Sequence, residues 1–133
     1  MKFLFVIIDD RELDCYIAKK NIMNTGLCAD AKIFYDALSA LSFIKDDAVT
    51  DEAIVVLLDI MMPVMNGFQF MDEFEKLSHQ VKAKYKIVAI TTSLDKADIS
   101  GISNYPSVVG VLKKPFTSKA LMQVLQPILP PQL

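Results

Sequence analysis

Ala53-Ile54-Val55-Val56-Leu57-Leu58, followed by Asp59-Ile60-Met61-Met62-Pro63-Val64-Met65-Asn66-Gly67, is the stretch that decides the fold. Its first six residues are apolar without alternation. A strand with one face in water alternates apolar and polar side chains, so an unbroken apolar run marks a strand covered on both faces, as in a parallel sheet. The run stops at a carboxylate. After Gly67, residues Phe70, Met71, Phe74 and Leu77 keep the spacing of a helix stripe.

The same alternation extends in both directions. Phe3–Ile8, Ile87–Ile90 and Val108–Leu112 are further apolar runs of strand length, and Cys28–Tyr35 is a weaker one. Between the first two strands, Leu13, Tyr16, Ile17 and Met23 fall near one helical face, and Gly26 suits a C-terminal cap. Ala37, Leu41 and Ile44 mark a second helix, and Lys96–Ile102 a poor one interrupted by Gly101. Leu121, Leu125, Ile128 and Leu129 mark the last, with Pro130-Pro131 as its stop. Ser78–Lys86 is expected to be a basic helix end or loop. Strand and helix thus alternate five times, which predicts an α/β doubly wound fold with a parallel sheet.

The 133 residues suit one domain, with no repeat and no linker. Hydrophobic residues form 53% of the chain, enough for a well-buried core, which argues against disorder. A net charge of −2 with no long basic run is unlike a nucleic-acid binder. Met1-Lys2 and six apolar residues run straight into Asp9-Asp10, which is no signal peptide, and no stretch is long enough to span a membrane. A cytoplasmic protein is expected. Cys15 and Cys28, assigned to a helix and a buried strand, are expected to be reduced thiols filling core space.

Ligands of open parallel sheets gather beyond the carboxyl ends of the strands. There the chain carries Asp9-Asp10, Asp59, Thr91-Thr92-Ser93 and Lys113-Lys114-Pro115. In the flavodoxin-like order 2-1-3-4-5, all four ends are neighbours. Crowded carboxylates repel unless a hard cation sits among them, and Mg²⁺ prefers oxygen ligands. A carboxylate is also a nucleophile toward phosphorus, and a metal, a hydroxyl and an ammonium accommodate the charge on a transferred phosphoryl group. Singly, each element has a plainer reading: a solvated helix start, an N-cap, a β-former, a surface lysine. Their convergence on one sheet edge favours a site.

These residues resemble the response-regulator receiver domain of two-component signalling over nearly the whole chain. The resemblance is carried by the acidic pair Asp9-Asp10, by Asp59 with Pro63 four and Gly67 eight residues on, by Thr91, and by Lys114-Pro115. It implies that Asp59 accepts a phosphoryl group from a sensor histidine kinase or a histidine phosphotransfer protein. It implies Mg²⁺ bound by Asp10, Asp59 and the backbone carbonyl of Met61, with Asp9 acting mainly through water. Thr91 and Lys114 would each bond a phosphoryl oxygen, and the Lys114-Pro115 peptide would be cis. The expected protein is a stand-alone receiver, residues 1–133, with no output domain in this chain. It would signal through a downstream protein target or a further phosphotransfer, and be no enzyme toward external substrates. Two alternatives are a degenerate receiver that binds partners unphosphorylated and a haloacid-dehalogenase-like phosphohydrolase. The latter resembles a D-x-D pattern, whose second Asp is here Met61, and the chain lacks a cap domain. One departure stands out: family members carry Tyr or Phe three residues before the lysine, where this chain has Val111.

Overall fold

The computed structural model describes residues 2–46, 53–93 and 95–129. Five parallel strands, β1 (Phe3–Ile8), β2 (Cys28–Phe34), β3 (Ile54–Asp59), β4 (Tyr85–Thr91) and β5 (Val108–Lys113), form one sheet in the order β2-β1-β3-β4-β5. The helices are α1 (Glu12–Asn24), α2 (Ala37–Lys45), α3 (Gly67–Phe74), α4 (His79–Lys82), α5 (Lys96–Ser103) and α6 (Ser118–Leu125). This is the flavodoxin-like doubly wound sandwich that the sequence pattern implies.

The unbroken apolar strands have the expected cause. In β3, Val55 and Leu57 join a core with Cys15, Ala18 and Ile22 of α1 and Leu121 and Leu125 of α6. Ile54, Val56 and Leu58 point the other way, into a core with Ala37, Leu41 and Ile44 of α2, Phe70 and Phe74 of α3 and Ile102 of α5. Successive side chains of a strand face opposite sides, so helices on both faces require every position to be apolar.

Four expectations need correction. The apolar face of α1 is not its core face: Leu13, Tyr16, Ile17 and Met23 lie in solvent, 40% exposed or more, whereas Cys15, Ala18 and Ile22 are buried. The small Cys15 and Ala18 let the helix approach the sheet. Its rotation is fixed from far along the chain, by Asn21 Nδ2 donating to the Phe116 carbonyl at 2.7 Å and Ser118 Oγ donating to that of Asn21 at 2.9 Å. The strand that holds Cys28 is not buried, because β2 lies at the sheet edge with Ala29, Asp30 and Lys32 exposed; both cysteines are free. Ser78–Lys86 contains the separate one-turn helix α4, capped by Ser78, and then the start of β4. The last α-helix stops at Leu125, and Gln126–Ile128 continues as a 3₁₀ turn around Pro127. Proline lacks the N–H that would extend an α-helix. The expected stop at Pro130-Pro131 lies outside the described residues.

The β3–α3 connection shows why its motif is spaced as it is. Gly67 N donates to the Ile60 carbonyl at 3.1 Å, and a Cβ at Gly67 would lie 2.6 Å from the Ile60 Cα. The loop folds back on its own start, and only glycine fits that approach. Asn66 and Gln69 then form a reciprocal capping box that starts α3.

Candidate functional site

Register brings four strand ends together. β1 pairs with β3 up to Ile8 and Leu58, β3 with β4 up to Asp59 and Ile90, and β4 with β5 up to Thr91 and Lys113. Each chain therefore leaves the sheet at about the same level, and the next residues of β1 and β5 are Asp9 and Lys114. Lys113, adjacent to the latter, is exposed. The Lys114 N–H donates to the Thr91 carbonyl at 2.9 Å, and the Lys114-Pro115 peptide is cis, as the resemblance implied.

Asp9, Asp59 and Thr91 are buried and Asp10 is exposed. Asp9 Oδ1 accepts from the Arg11 N–H at 2.9 Å, and its Oδ2 accepts from Lys114 Nζ at 2.7 Å. Asp59 Oδ1 accepts from the Met61 N–H at 3.0 Å, and its Oδ2 lies 3.3 Å from Lys114 Nζ. The strand-end carboxylates are thus fixed by turns in their own backbone, and neither acts as a helix N-cap. Thr91 Oγ1 accepts from the Ser93 N–H at 2.9 Å, so its hydroxyl is oriented by the turn that follows β4.

Burial pushes the Asp59 carboxyl up to about 6, and the carboxylate of Asp9 adds to this; the Met61 N–H and Lys114 oppose it. For Lys114, burial disfavours the charged ammonium, but hydrogen bonds to Asp9 and Asp14, with the charge of Asp59, outweigh it and hold the amine well above its usual range. The lysine is therefore a fixed cation. Cys15 lies beneath, its thiol donating to the Asp9 carbonyl at 3.3 Å; burial pushes it up to about 12, so it stays protonated.

Asp9, Asp10 and Asp59 each offer a carboxylate oxygen, and those oxygens lie within 4.8 Å of one another. A set of hard oxygen donors with more negative charge than one lysine balances fits a small divalent cation such as Mg²⁺. The site opens into a cleft of about 200 Å³ between α1 and the end of β5, whose walls include Ile17, Ala18 and Phe116.

Every strand-end residue singled out from the sequence is at this edge. Asp14 was missed. Its Oδ2 lies 3.0 Å from Lys114 Nζ, a contact between residues 100 positions apart. In the sequence it is one of two acids in the first turn of a helix, with Glu12, and no local signal sets it apart. Val111, at the position where an aromatic was expected, packs against the core face that α2, α3 and α5 cover. Tyr105, nearby, donates its hydroxyl to Asp72 Oδ1 at 2.5 Å, with the Phe68 carbonyl 3.3 Å from the same oxygen, tying the α5–β5 loop to α3.

A five-stranded parallel sheet in this order, with its polar site at the carboxyl edge, defines an α/β domain of the flavodoxin-like class. The sequence matches the family model of the response regulator receiver domain over residues 5–126, and the chain belongs to that family. It is similar to a response regulator receiver protein from Dyadobacter fermentans, with 26% identity over 97% of this chain and 99% of that one, at a TM-score of 0.87. A two-component response regulator from Cytophaga hutchinsonii, 21% identical over 96% and 98% of the two chains, superposes at a TM-score of 0.86. The chemotaxis protein CheY4 of Vibrio cholerae, 24% identical over 97% and 100%, does so at 0.75. The last two likenesses bear on the fold alone. No curated protein matches the sequence.

Proposed function

We propose that this chain takes a phosphoryl group onto Asp59, from a sensor histidine kinase or a histidine phosphotransfer protein, and thereby switches its contacts with a downstream protein. The observation that carries this reading is Asp59 itself. It is a buried carboxylate at the centre of the strand ends, with one oxygen fixed by the Met61 N–H and the other facing Lys114. A carboxylate so held is oriented for attack on phosphorus.

Each neighbour then has a role. Lys114, held protonated, offers its N–H groups to a phosphoryl oxygen. Thr91 offers its hydroxyl to a second. Asp10, Asp59 and the Met61 carbonyl would hold Mg²⁺ directly, and Asp9 would act mainly through water. The ion, when bound, supplies positive charge beside the phosphoryl oxygens. Met61 takes the slot of the second Asp in phosphohydrolases of the D-x-D type, so no side chain there serves as the acid that such turnover needs. The protein would catalyse its own phosphorylation and dephosphorylation and turn over no external substrate. Among the described residues no helix is long and apolar enough to cross a membrane, which agrees with the cytoplasmic setting proposed here.

Acetyl phosphate with Mg²⁺ tests the reading. One phosphoryl group should add, hydroxylamine should remove it, and Asp59→Asn should abolish it. Labelling of the Asp59→Asn variant to the same stoichiometry would overturn the assignment. Absence of labelling in the wild type would leave a binding module that works unphosphorylated.

A further inference from the structure

Lys114 is shared among three acids, and one of them is not needed for phosphoryl chemistry. Its Nζ lies 2.7 Å from Asp9 Oδ2, 3.0 Å from Asp14 Oδ2 and 3.3 Å from Asp59 Oδ2. An ammonium has three N–H donors; hydrogen bonds to Asp9 and Asp14 take two of them, and Asp59 faces the charge as an ion pair. Asp9 is held in place by the Arg11 N–H, and Asp59 by the Met61 N–H. Asp14 reaches the lysine from the first turn of α1, with its side chain 27% exposed against 15% for Lys114. Among the described residues its other cation is Arg11, at 3.8 Å, whose side chain is 74% exposed and therefore screened.

We propose that Asp14 is a positioning residue that holds the Lys114 ammonium on the α1 side of the site, so that phosphorylation must draw the lysine away from it. The proposal rests on the reading of Asp59 as phosphoacceptor. With acetyl phosphate, an Asp59 carboxylate oxygen forms a bond to phosphorus while the bond from phosphorus to the acetyl oxygen breaks. Acetate leaves with the electron pair, nothing is oxidised or reduced, and Lys114 keeps its protons. The new phosphoryl oxygens need an N–H of Lys114. Asp14 competes for that donor, at a partly buried position where its attraction for the ammonium is incompletely screened. Asp14 thus restrains phosphorylation and favours the unphosphorylated resting arrangement.

Asp14→Asn removes the charge and keeps an acceptor of the same shape. It should raise the affinity for beryllofluoride in Mg²⁺, and the phosphorylation rate with acetyl phosphate, by about three- to tenfold, as expected for a partly screened charge pair. Asp14→Glu should restore rates near wild type. Glu12→Gln, which removes a charge from the same helical turn, should change neither. In a Lys114→Met background, Asp14→Asn should alter the slow residual phosphorylation less than twofold, on the order expected for exposed charges. Wild-type rates and beryllofluoride affinity in Asp14→Asn would overturn the proposal while leaving Asp59 labelled. An undiminished gain in the Lys114→Met background would also overturn it, since the charge would then act directly and not through the lysine. Absence of labelling in the wild type would overturn the phosphoacceptor reading as well, and is distinguishable because it precedes any comparison of variants.

Discussion

The two sides of the sheet edge are built differently. On the β3–α3 side, the groups that shape the site are close in sequence. Asp59 is held by Met61, Ile60 by Gly67, and Asn66 by Gln69. On the α1 side they are far apart: Lys114 meets Asp9 and Asp14, Asn21 meets Phe116, and Ser118 meets Asn21. A short loop closes at little entropic cost and its geometry follows from local residue types. The α1 side exists only once the two ends of the chain pack on one sheet face. The first arrangement fixes the nucleophile and the second places the cation that faces it.

Five substitutions and one control would break or sharpen that contrast. The largest effect is expected where distant parts of the chain meet. Ile22→Ala, at a fully buried position of α1, should cost about 3 kcal/mol. Leu13→Ala on the exposed face of the same helix should stay within about 0.5 kcal/mol. Urea unfolding of the two side by side checks this, and equal losses would mean that the outward apolar face is covered in solution. Gly67→Ala probes the local side. Its Cβ would meet the Ile60 backbone, which cannot swing aside as a side-chain end does, and about 2 to 3 kcal/mol should be lost.

Asp59→Asn tests the centre, where both sides meet, and is expected to stabilise the protein without metal. Burial raises Asp59 from 3.8 to about 6 in the folded state. The folded protein therefore holds this proton more tightly than the unfolded chain, so its contribution to stability is largest below about pH 4 and is lost as the pH rises through about 6. In EDTA at pH 7.5 the Asn variant should be more stable by about 2 kcal/mol. The advantage should shrink as the pH falls toward 4. An advantage that does not change with pH would place the effect in packing and not in charge.

Among the described residues, Val64 is the non-glycine position with a positive φ. It has φ of +68° and is 91% exposed, and the Met65 N–H bonds to the Pro63 carbonyl across it at 2.8 Å. That is a γ-turn with a β-branched residue at its centre, a costly backbone state. Val64→Gly should stabilise by about 1 kcal/mol, because glycine has no Cβ to strain at positive φ and no packing is lost at so exposed a position. Asp10→Ala is expected to have the smallest effect on the metal-free protein. Asp10 is exposed and its removal relieves repulsion with Asp9 and Asp59, so stability should hold or rise by less than about 0.5 kcal/mol. A clear loss would make Asp10 a structural residue.

What was legible in the sequence follows this same division. The parallel sheet could be read from Ala53–Leu58 because covering both faces of a strand leaves no room for a polar residue. The connection after Asp59 was marked in the sequence by the spacing of Pro63 and Gly67, and its local reason is the close approach of Gly67 to Ile60. The face of α1 could not. Its stripe Leu13, Tyr16, Ile17 and Met23 has helical spacing and more apolar bulk than Cys15 and Ala18, and the periodicity says only that a face exists. Which face turns inward is decided by fit against the sheet, and small residues allow the closer approach.

The order 2-1-3-4-5 that makes the strand ends neighbours came with the family resemblance; by itself the sequence determined the number of strands and the residues at their carboxyl ends. Each of these depends on residue type and on spacing within about ten positions, where backbone geometry is the main constraint. Tertiary structure alone decided the roll of α1, the exposure of β2 as an edge, the division of the last helix from its 3₁₀ turn, and the partners of Lys114. An ammonium on a flexible four-carbon stem reaches whichever carboxylates packing brings near, so its bond to Asp14 is a property of the folded chain and of no segment within it.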